Sequence, residues 1–205
     1  MSTMWSRTMC LQKELQEYVL TRLVRWKVAL IWAVLVVTTH LPACLQASFW
    51  TTASLRDAAY VSVMLMVLIV ALRIWDDLAD RDYDAKHHAQ RVLPHSRFTG
   101  VYVAVVVFLL CAALTMMYSR AEQVWILCIL IGGLILVYGS GYFIKLPRQL
   151  RAQCVLLKYP LLLLLFSEAP FSSMSLILAV MVYGLASADE LISSFKSNDI
   201  ESETL

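Results

Sequence analysis

The chain has 205 residues, 60% of them hydrophobic and only 16% charged, with a formal net charge of +2. That balance is too apolar for an ordinary soluble domain, and the near-neutral charge gives no electrostatic footprint for nucleic acid. The five cysteines form no C-x-x-C pair and lie mostly inside apolar runs, so they read as small core residues.

Taken in chain order, residues 1–26 come before the first long apolar run. Within them Leu11, Leu15, Tyr18, Val19, Leu23 and Trp26 fall near helical spacing, opposite Lys13, Glu14 and Glu17. The pattern predicts an amphipathic entry helix on the cytoplasmic surface, packed against a bundle. The segment is too long, and too polar near its start, for a cleaved signal peptide.

Runs long enough to span a bilayer, about 20 residues each, follow near residues 27–47, 57–76, 99–118, 123–144, 153–168 and 171–189. The expected fold is an all-α polytopic transmembrane bundle of about six helices over residues 27–190, followed by a polar tail at 191–205. The fifth run carries Lys158 and Pro160 and is the shortest.

Basic residues test the layout, because cytoplasmic segments carry the Lys/Arg excess. The N-terminal segment holds Arg7, Lys13, Arg22, Arg25 and Lys27, and the first connection only Arg56. The second holds Arg81, Lys86, Arg91 and Arg97, the third only Arg120, the fourth Lys145, Arg148 and Arg151, and the fifth none. This alternation places both termini and the second connection in the cytoplasm.

That second connection opens with Arg73-Ile-Trp-Asp76-Asp77-Leu-Ala-Asp80-Arg81-Asp82-Tyr-Asp84, where five of the fifteen carboxylates sit within nine residues. If the preceding helix continues, Asp76, Asp77, Asp80 and Asp84 share an arc of roughly 100° and Asp82 falls on the far side. Arg73 projects into the arc from one turn earlier. Like charges at this spacing repel, more strongly at a membrane edge, so a compensating cation is expected. Hard oxygen ligands without cysteine point to Mg²⁺, which binds through one or two carboxylates plus phosphate oxygens. The alternative is a solvated acidic helix end neutralised by Arg81, Lys86 and Arg91. His87 and His88 have no supporting Cys or H-E-x-x-H arrangement, and a zinc site is discounted.

Farther along, Gly132 and Gly133 read as packing glycines of a membrane helix. Lys158 is a buried-looking cation in an apolar run. It either snorkels to the interface or acts in the site, with Asp80 or Asp84 as its expected partner.

The pattern Asp76-Asp77-x-x-Asp80-x-x-x-Asp84, followed by Arg91-Val-Leu-Pro94-His-Ser-Arg97, resembles the first signature of the UbiA-type membrane prenyltransferases. That signature reads N/D-D-x-x-D-x-x-x-D, then a basic residue and a Pro-containing turn. Here Asp76 stands where Asn is usual, Val92 where the first Pro of the turn would be, and the closing Gly is lacking. The stretch from Tyr138 to Lys145 resembles the Tyr-containing element that leads to the family's diphosphate-binding lysine. The resemblance is specific over residues 73–97 and looser elsewhere.

It implies Mg²⁺-dependent transfer of an isoprenoid group from a prenyl diphosphate to an aromatic or lipid-like acceptor. Asp76, Asp77, Asp80 and Asp84 would hold the metal, with Asp77, Asp80 and Asp84 as the catalytic acids. Arg73, Arg91, Tyr142, Lys145 and Lys158 would bind the diphosphate, and Trp75, Tyr138 and Tyr142 could face a developing cation. The family carries a second Asp-rich motif after its sixth helix. At that place this chain has only Asp189 and Glu190, a possible reduced second motif without the D-x-x-x-D spacing.

Three explanations stay open: a compact enzyme that uses those two acids, a cavity completed by another subunit in a homo- or hetero-oligomer, or a scaffold that has lost catalysis. A CDP-alcohol phosphotransferase pattern fits less well, since Asp77 stands where its Gly would be. The expected partners are membrane lipid and a prenyl diphosphate, without nucleic acid. The expected location is a multi-pass membrane protein whose active site faces the cytoplasm.

Overall fold

Each of the six apolar runs folds as helix in this computed structural model, and no strand occurs among the described residues. The backbone is described for residues 2–24, 26–44, 52–87, 91–117, 121–143, 148–167 and 172–203, and side chains over a narrower set within these.

Helix α1 (Ser2–Tyr18) runs directly into a five-residue π-helical segment, Val19–Leu23, closed by Val24 N–H donating to Val19 O at 2.9 Å. Next come α2 (Trp26–Cys44) and α3 (Thr52–Ala79), which keeps Arg73, Asp76 and Asp77 on its last two turns. After Asp80 the chain forms α4 (Arg81–His87) and the single turn α5 (Val92–His95). Pro94 lies inside α5, within the first turn, where its missing N–H removes no intrahelical bond. Helices α6 (Thr99–Met117), α7 (Ala121–Phe143), α8 (Arg148–Leu156), α9 (Lys158–Phe166) and α10 (Ser173–Glu203) complete the order.

The chain divides into two compact units. The first joins Met1–Val34 to Ala59–Ser119. Its core sets Tyr18 of α1 against Ile74 of α3, Leu93 of α5, and Tyr102 and Val106 of α6, flanked by Leu15, Leu23, Trp75 and Leu78. The Tyr18 and Tyr102 rings meet edge to face, with centroids 5.1 Å apart, a favourable quadrupole arrangement. Trp32 donates its indole N–H to Ser62 O at 3.0 Å and Tyr60 its hydroxyl to Met116 O at 2.8 Å. Both bonds fix neighbouring helices at backbone carbonyls.

The second unit comprises Leu35–Ala58 and Arg120–Leu205. There α9 packs against both α7 and α10, burying Leu162, Leu163, Leu165 and Phe166, while Leu127, Leu130 and Leu134 are buried on α7 and Leu178, Ala179 and Val182 on α10. Ser172 caps α10: its Oγ accepts the Ser175 N–H at 3.1 Å, the usual role of a serine at this position. Gln153 Oε1 accepts from Tyr183 at 3.1 Å and from Ser187 at 2.9 Å.

Among the described residues two helical stretches are long and apolar enough to cross a membrane, Ser54–Ala79 and Thr99–Met117. The other four predicted runs give shorter apolar helical stretches over Trp26–Leu41, Val124–Leu136, Gln153–Phe166, which a turn at Leu157 interrupts, and Ser173–Ala188. Large apolar side chains point away from the packing on several of them, among them Phe108, Trp125, Leu136 and Val180.

Several expectations change. The fifth run is not one helix: it breaks at Leu157, between α8 and α9. Pro160 explains the break, because its ring clashes with the carbonyl four residues earlier in a continuous helix and is tolerated in the first turn of a new one. Helix α10 extends through the polar residues 191–203. Among the described residues, a Cβ added at Gly132 or Gly133 meets nothing within 4 Å. None of the four described cysteines is buried; Cys10, Cys111 and Cys128 are exposed and Cys154 half-buried, all as free thiols.

Candidate functional site

The acid segment reaches its geometry through an almost unbroken helix. Asp80 N–H donates to Asp76 O at 2.9 Å and Asp84 N–H to Asp80 O at 2.8 Å, so the i,i+4 register carries through the turn between α3 and α4. Two turns separate Asp77 from Asp84, and both are buried while Asp82 is exposed. Asp76 and Asp80 are half-buried. The arc expected from the spacing therefore resolves into an inner pair, Asp77 and Asp84, with Asp76 and Asp80 at its flank and Asp82 on the opposite side.

Asp77 accepts three side-chain hydrogen bonds. Arg22 grips it with two donors, Nε to Oδ2 at 2.9 Å and Nη2 to Oδ1. Such a fork is the strongest geometry open to a guanidinium and a carboxylate. Tyr18 adds its hydroxyl to Oδ2 at 2.8 Å. Arg73 stands one helical turn before Asp77, its Nη2 3.8 Å from Oδ1. Asp84 pairs with Arg91 Nη1. Tyr18, Arg22, Asp77, Asp84 and Arg91 line one small pocket with Val92, Leu93 and Pro94. It has room for a water molecule and little more.

The electrostatics follow from burial. Burial, and then the adjacent Asp77 carboxylate, push the Tyr18 phenol far above its ordinary value, so it stays a neutral donor. Burial disfavours the Arg22 cation, but its bonds and attraction to Asp77 outweigh that and raise its pKa above the usual guanidinium value. Arg22 is thus a fixed positive charge.

A second set of bonds holds the same N-terminal segment. Glu14 accepts from the Ser96 hydroxyl and, at 3.3 Å, from Tyr102. Arg81 reaches toward Pro94 O and Ser96 O at 3.4 and 3.5 Å, so it supports the α5 turn. Lys86 is exposed.

Of the residues singled out from sequence, Arg73, Asp77, Asp84 and Arg91 come together at this end of the first unit, with Asp76 and Asp80 beside them. Lys158 belongs to the second unit, where it is buried with its ammonium 5.3 Å from the Tyr159 ring centroid. Tyr142 lies on the last turn of α7, and Asp189 and Glu190 on α10, but their side chains are outside the described set, as is that of Tyr138. Lys145 and His88, and the side chain of His87, also lie outside the described residues.

Comparison with known proteins finds no matching family model, curated relative or solved structure. What the site can do must therefore be read from its own chemistry.

The residues the sequence reading missed are Tyr18 and Arg22, together with Glu14. By spacing Tyr18 reads as part of an apolar face, Arg22 as one of the positive-inside charges and Glu14 as part of the polar face. The available signal was spacing: Leu11, Leu15, Tyr18 and Arg22 follow i,i+4,i+7,i+11, so a cation continues an otherwise apolar stripe. The π segment then turns Val19 and Trp26 outward, where both are exposed.

The donor set fits magnesium with a phosphate ligand better than a metal alone. Among the described residues no three His, Cys, Asp or Glu side chains are grouped closely enough to hold a metal. Mg²⁺, however, usually takes only one or two carboxylates and completes its shell with phosphate oxygens and water. Asp77 and Asp84 supply such oxygens from one pocket. The Arg73 Nε–H beside them is buried and meets no acceptor among the described residues, a donor suited to an anion's oxygen.

Proposed function

We propose that the protein is an integral membrane prenyltransferase-like enzyme that binds a prenyl diphosphate with Mg²⁺ at the α3–α4 acid segment. The observation that carries the reading is the convergence of two buried carboxylates with Arg22, Arg73 and Arg91 at the end of a long apolar helix, one guanidinium N–H meeting no acceptor among the described residues. Buried ionisable groups at membrane depth are costly and mark functional sites by default. The resemblance of residues 76–97 to the UbiA-type signature supplies the substrate class.

A membrane setting is compatible with two stretches among the described residues that are long and apolar enough to span a bilayer, Ser54–Ala79 and Thr99–Met117, with 44% and 22% of their apolar windows buried within the protein. Outward-facing Phe108, Trp125 and Val180 are then lipid contacts. The Lys/Arg alternation puts the acid segment on the cytoplasmic side.

In this scheme Asp77 and Asp84, with Asp76 and Asp80 at the flank, hold the metal, which when bound supplies Lewis-acid stabilisation of the leaving diphosphate. Arg73 and Arg91 bind the phosphate oxygens and offset their charge as the carbon–oxygen bond breaks. Trp75, half-buried in the same unit, offers an electron-rich face to the allylic cation. Lys145, Tyr142 and Lys158 remain candidate diphosphate ligands, and Asp189 and Glu190 a reduced second acid pair.

A second reading, a non-catalytic membrane scaffold, is favoured by one observation: Arg22 and Tyr18 already satisfy both oxygens of Asp77. The two readings separate in one assay. Purified protein in lipid nanodiscs is given Mg²⁺ and a radiolabelled prenyl diphosphate, with and without a lipid or aromatic acceptor fraction. Magnesium-dependent release of pyrophosphate that Asp84→Asn abolishes supports the enzyme. No release and no magnesium-dependent retention of label leaves the scaffold.

A further inference from the structure

If a prenyl diphosphate is to reach Asp77, something must move. Both oxygens of that carboxylate are taken by Arg22 and Tyr18, and the neighbouring pocket, shared with Asp84 and Arg91, is water-sized. A diphosphate with its metal is many times larger. The groups that occupy Asp77 belong to the N-terminal segment, while Arg91 and the α5 turn line the pocket from the other side.

We propose that α1 and the π segment form a strap that closes over the acid pair, with Arg22 and Tyr18 occupying Asp77 until a magnesium–diphosphate ligand displaces them. The inference rests on the reading of the site as a prenyl diphosphate site and adds its regulation.

Three features support a strap over a permanent wall. First, its contacts at the acid site and beside it are polar and exchangeable: Arg22 and Tyr18 on Asp77, and Glu14 on Ser96 and Tyr102. A magnesium ion can replace a guanidinium on a carboxylate, and a phosphate can replace a carboxylate on the guanidinium. Second, the strap has a hinge. Helical geometry ends at Val24, with φ −84° and ψ 53°, immediately before α2 starts at Trp26. π-Helical turns are rare and frequently occur at functional sites. Third, the outer side of the hinge carries little packing. Val19, Leu20, Val24 and Trp26 are all exposed, Trp26 by 71%. Little holds the segment on that side, whereas on its inner side Tyr18, Leu15 and Leu23 pack in the core of the first unit, so opening also costs those apolar contacts.

The exchange is balanced in charge. Opening frees one carboxylate and one guanidinium, and the incoming ligand brings a cation for the first and an anion for the second. Neither buried charge is left alone, which would otherwise be strongly unfavourable.

The test measures binding of inorganic pyrophosphate with Mg²⁺ by calorimetry, for the full chain in nanodiscs, alongside amide hydrogen exchange of residues 11–24. Tyr18→Phe removes one bond that holds the strap and leaves every cation in place. A ligand that binds only the open form is weakened by the fraction closed, so Tyr18→Phe is expected to tighten binding about tenfold or more, the scale of one hydrogen bond to a charged group. In wild type, magnesium pyrophosphate is expected to speed exchange in residues 18–24. Binding by the variant but not by wild type also supports the strap.

If wild type binds, yet exchange in the segment is unchanged or slowed and Tyr18→Phe binds no tighter, the strap is refuted and the diphosphate site stands. If neither protein binds, both fall. A Tyr18→Phe preparation that fails to fold is replaced by Ser96→Ala, which loosens the segment at Glu14 and carries the same expectations.

Discussion

The pair of Arg22 and Asp77 makes a quantitative prediction. Both side chains are close to fully enclosed, 10% and 7% exposed, so removing either leaves a charge stranded in a poorly polarisable surrounding. Breaking such a pair costs about 3–5 kcal/mol. Arg22→Met belongs at the lower end, about 3 kcal/mol, because Tyr18 still donates to Asp77 and Arg73 remains 3.8 Å away. The two units need not unfold together, so the effect is best read locally, by amide exchange of residues 11–23. A cost of about 3 kcal/mol accelerates exchange there by roughly a hundredfold. The double variant Arg22→Met with Asp77→Leu removes both charges and is expected to recover most of the loss, since an ion pair replaced by apolar groups of similar size is often neutral. The coupling between the two sites should be about 2 kcal/mol or more. Single variants that change protection less than about threefold, or that simply add in the double variant, would show that the pair is not what holds α1 to α3.

Other outcomes follow from the same geometry. Tyr18 holds its proton in the folded protein well above the pH at which an unfolded tyrosine loses it, near 10. Its contribution to stability is therefore full below pH about 10 and declines as pH rises above that value. In alkaline titration of the unfolding free energy, the gap between wild type and Tyr18→Phe should be flat to pH about 9 and narrow beyond pH 10; a gap that widens contradicts the buried neutral phenol. Asp82→Asn, on the exposed side of α4, should leave stability within about 0.5 kcal/mol and magnesium pyrophosphate binding unchanged by calorimetry, whereas Asp84→Asn should abolish that binding. Chelation of divalent cations should stop pyrophosphate release in the nanodisc assay, and Mg²⁺ should restore it. In the second unit, Ser172→Ala removes the α10 cap and should cost about 1 kcal/mol, seen as faster exchange at residues 173–176.

Much of the helical layout could be read in the residues, because apolar runs of bilayer length have few other ways to bury their backbone polar groups. Inner and outer acids were also legible. The 100° step puts Asp77 and Asp84 on one side of the helix and Asp82 on the other, and burial follows that division. The identity of the counter-charge was not legible. Arg22 lies 55 residues before Asp77 in the chain, and no local periodicity links the two. Glu14 was assigned to the polar face because it is charged; it turns inward because Ser96 and Tyr102 give it hydrogen-bond donors there. Likewise the fifth run reads as one span by composition, while Pro160 divides it by removing a donor and crowding a carbonyl.

The π segment has a consequence of its own for which side chain meets the acid. A π turn holds one residue more than an α turn, so it sets the angular phase between Tyr18 before it and Arg22 near its end. Deleting a single residue between Val19 and Thr21 would rotate Arg22 by about 100° about the helix axis and aim it away from Asp77, with no change in charge or composition beyond that one position. A widened turn of this kind works as a vernier: it lets evolution reset the pairing of a distant cation and anion by inserting or removing one residue, without altering either partner.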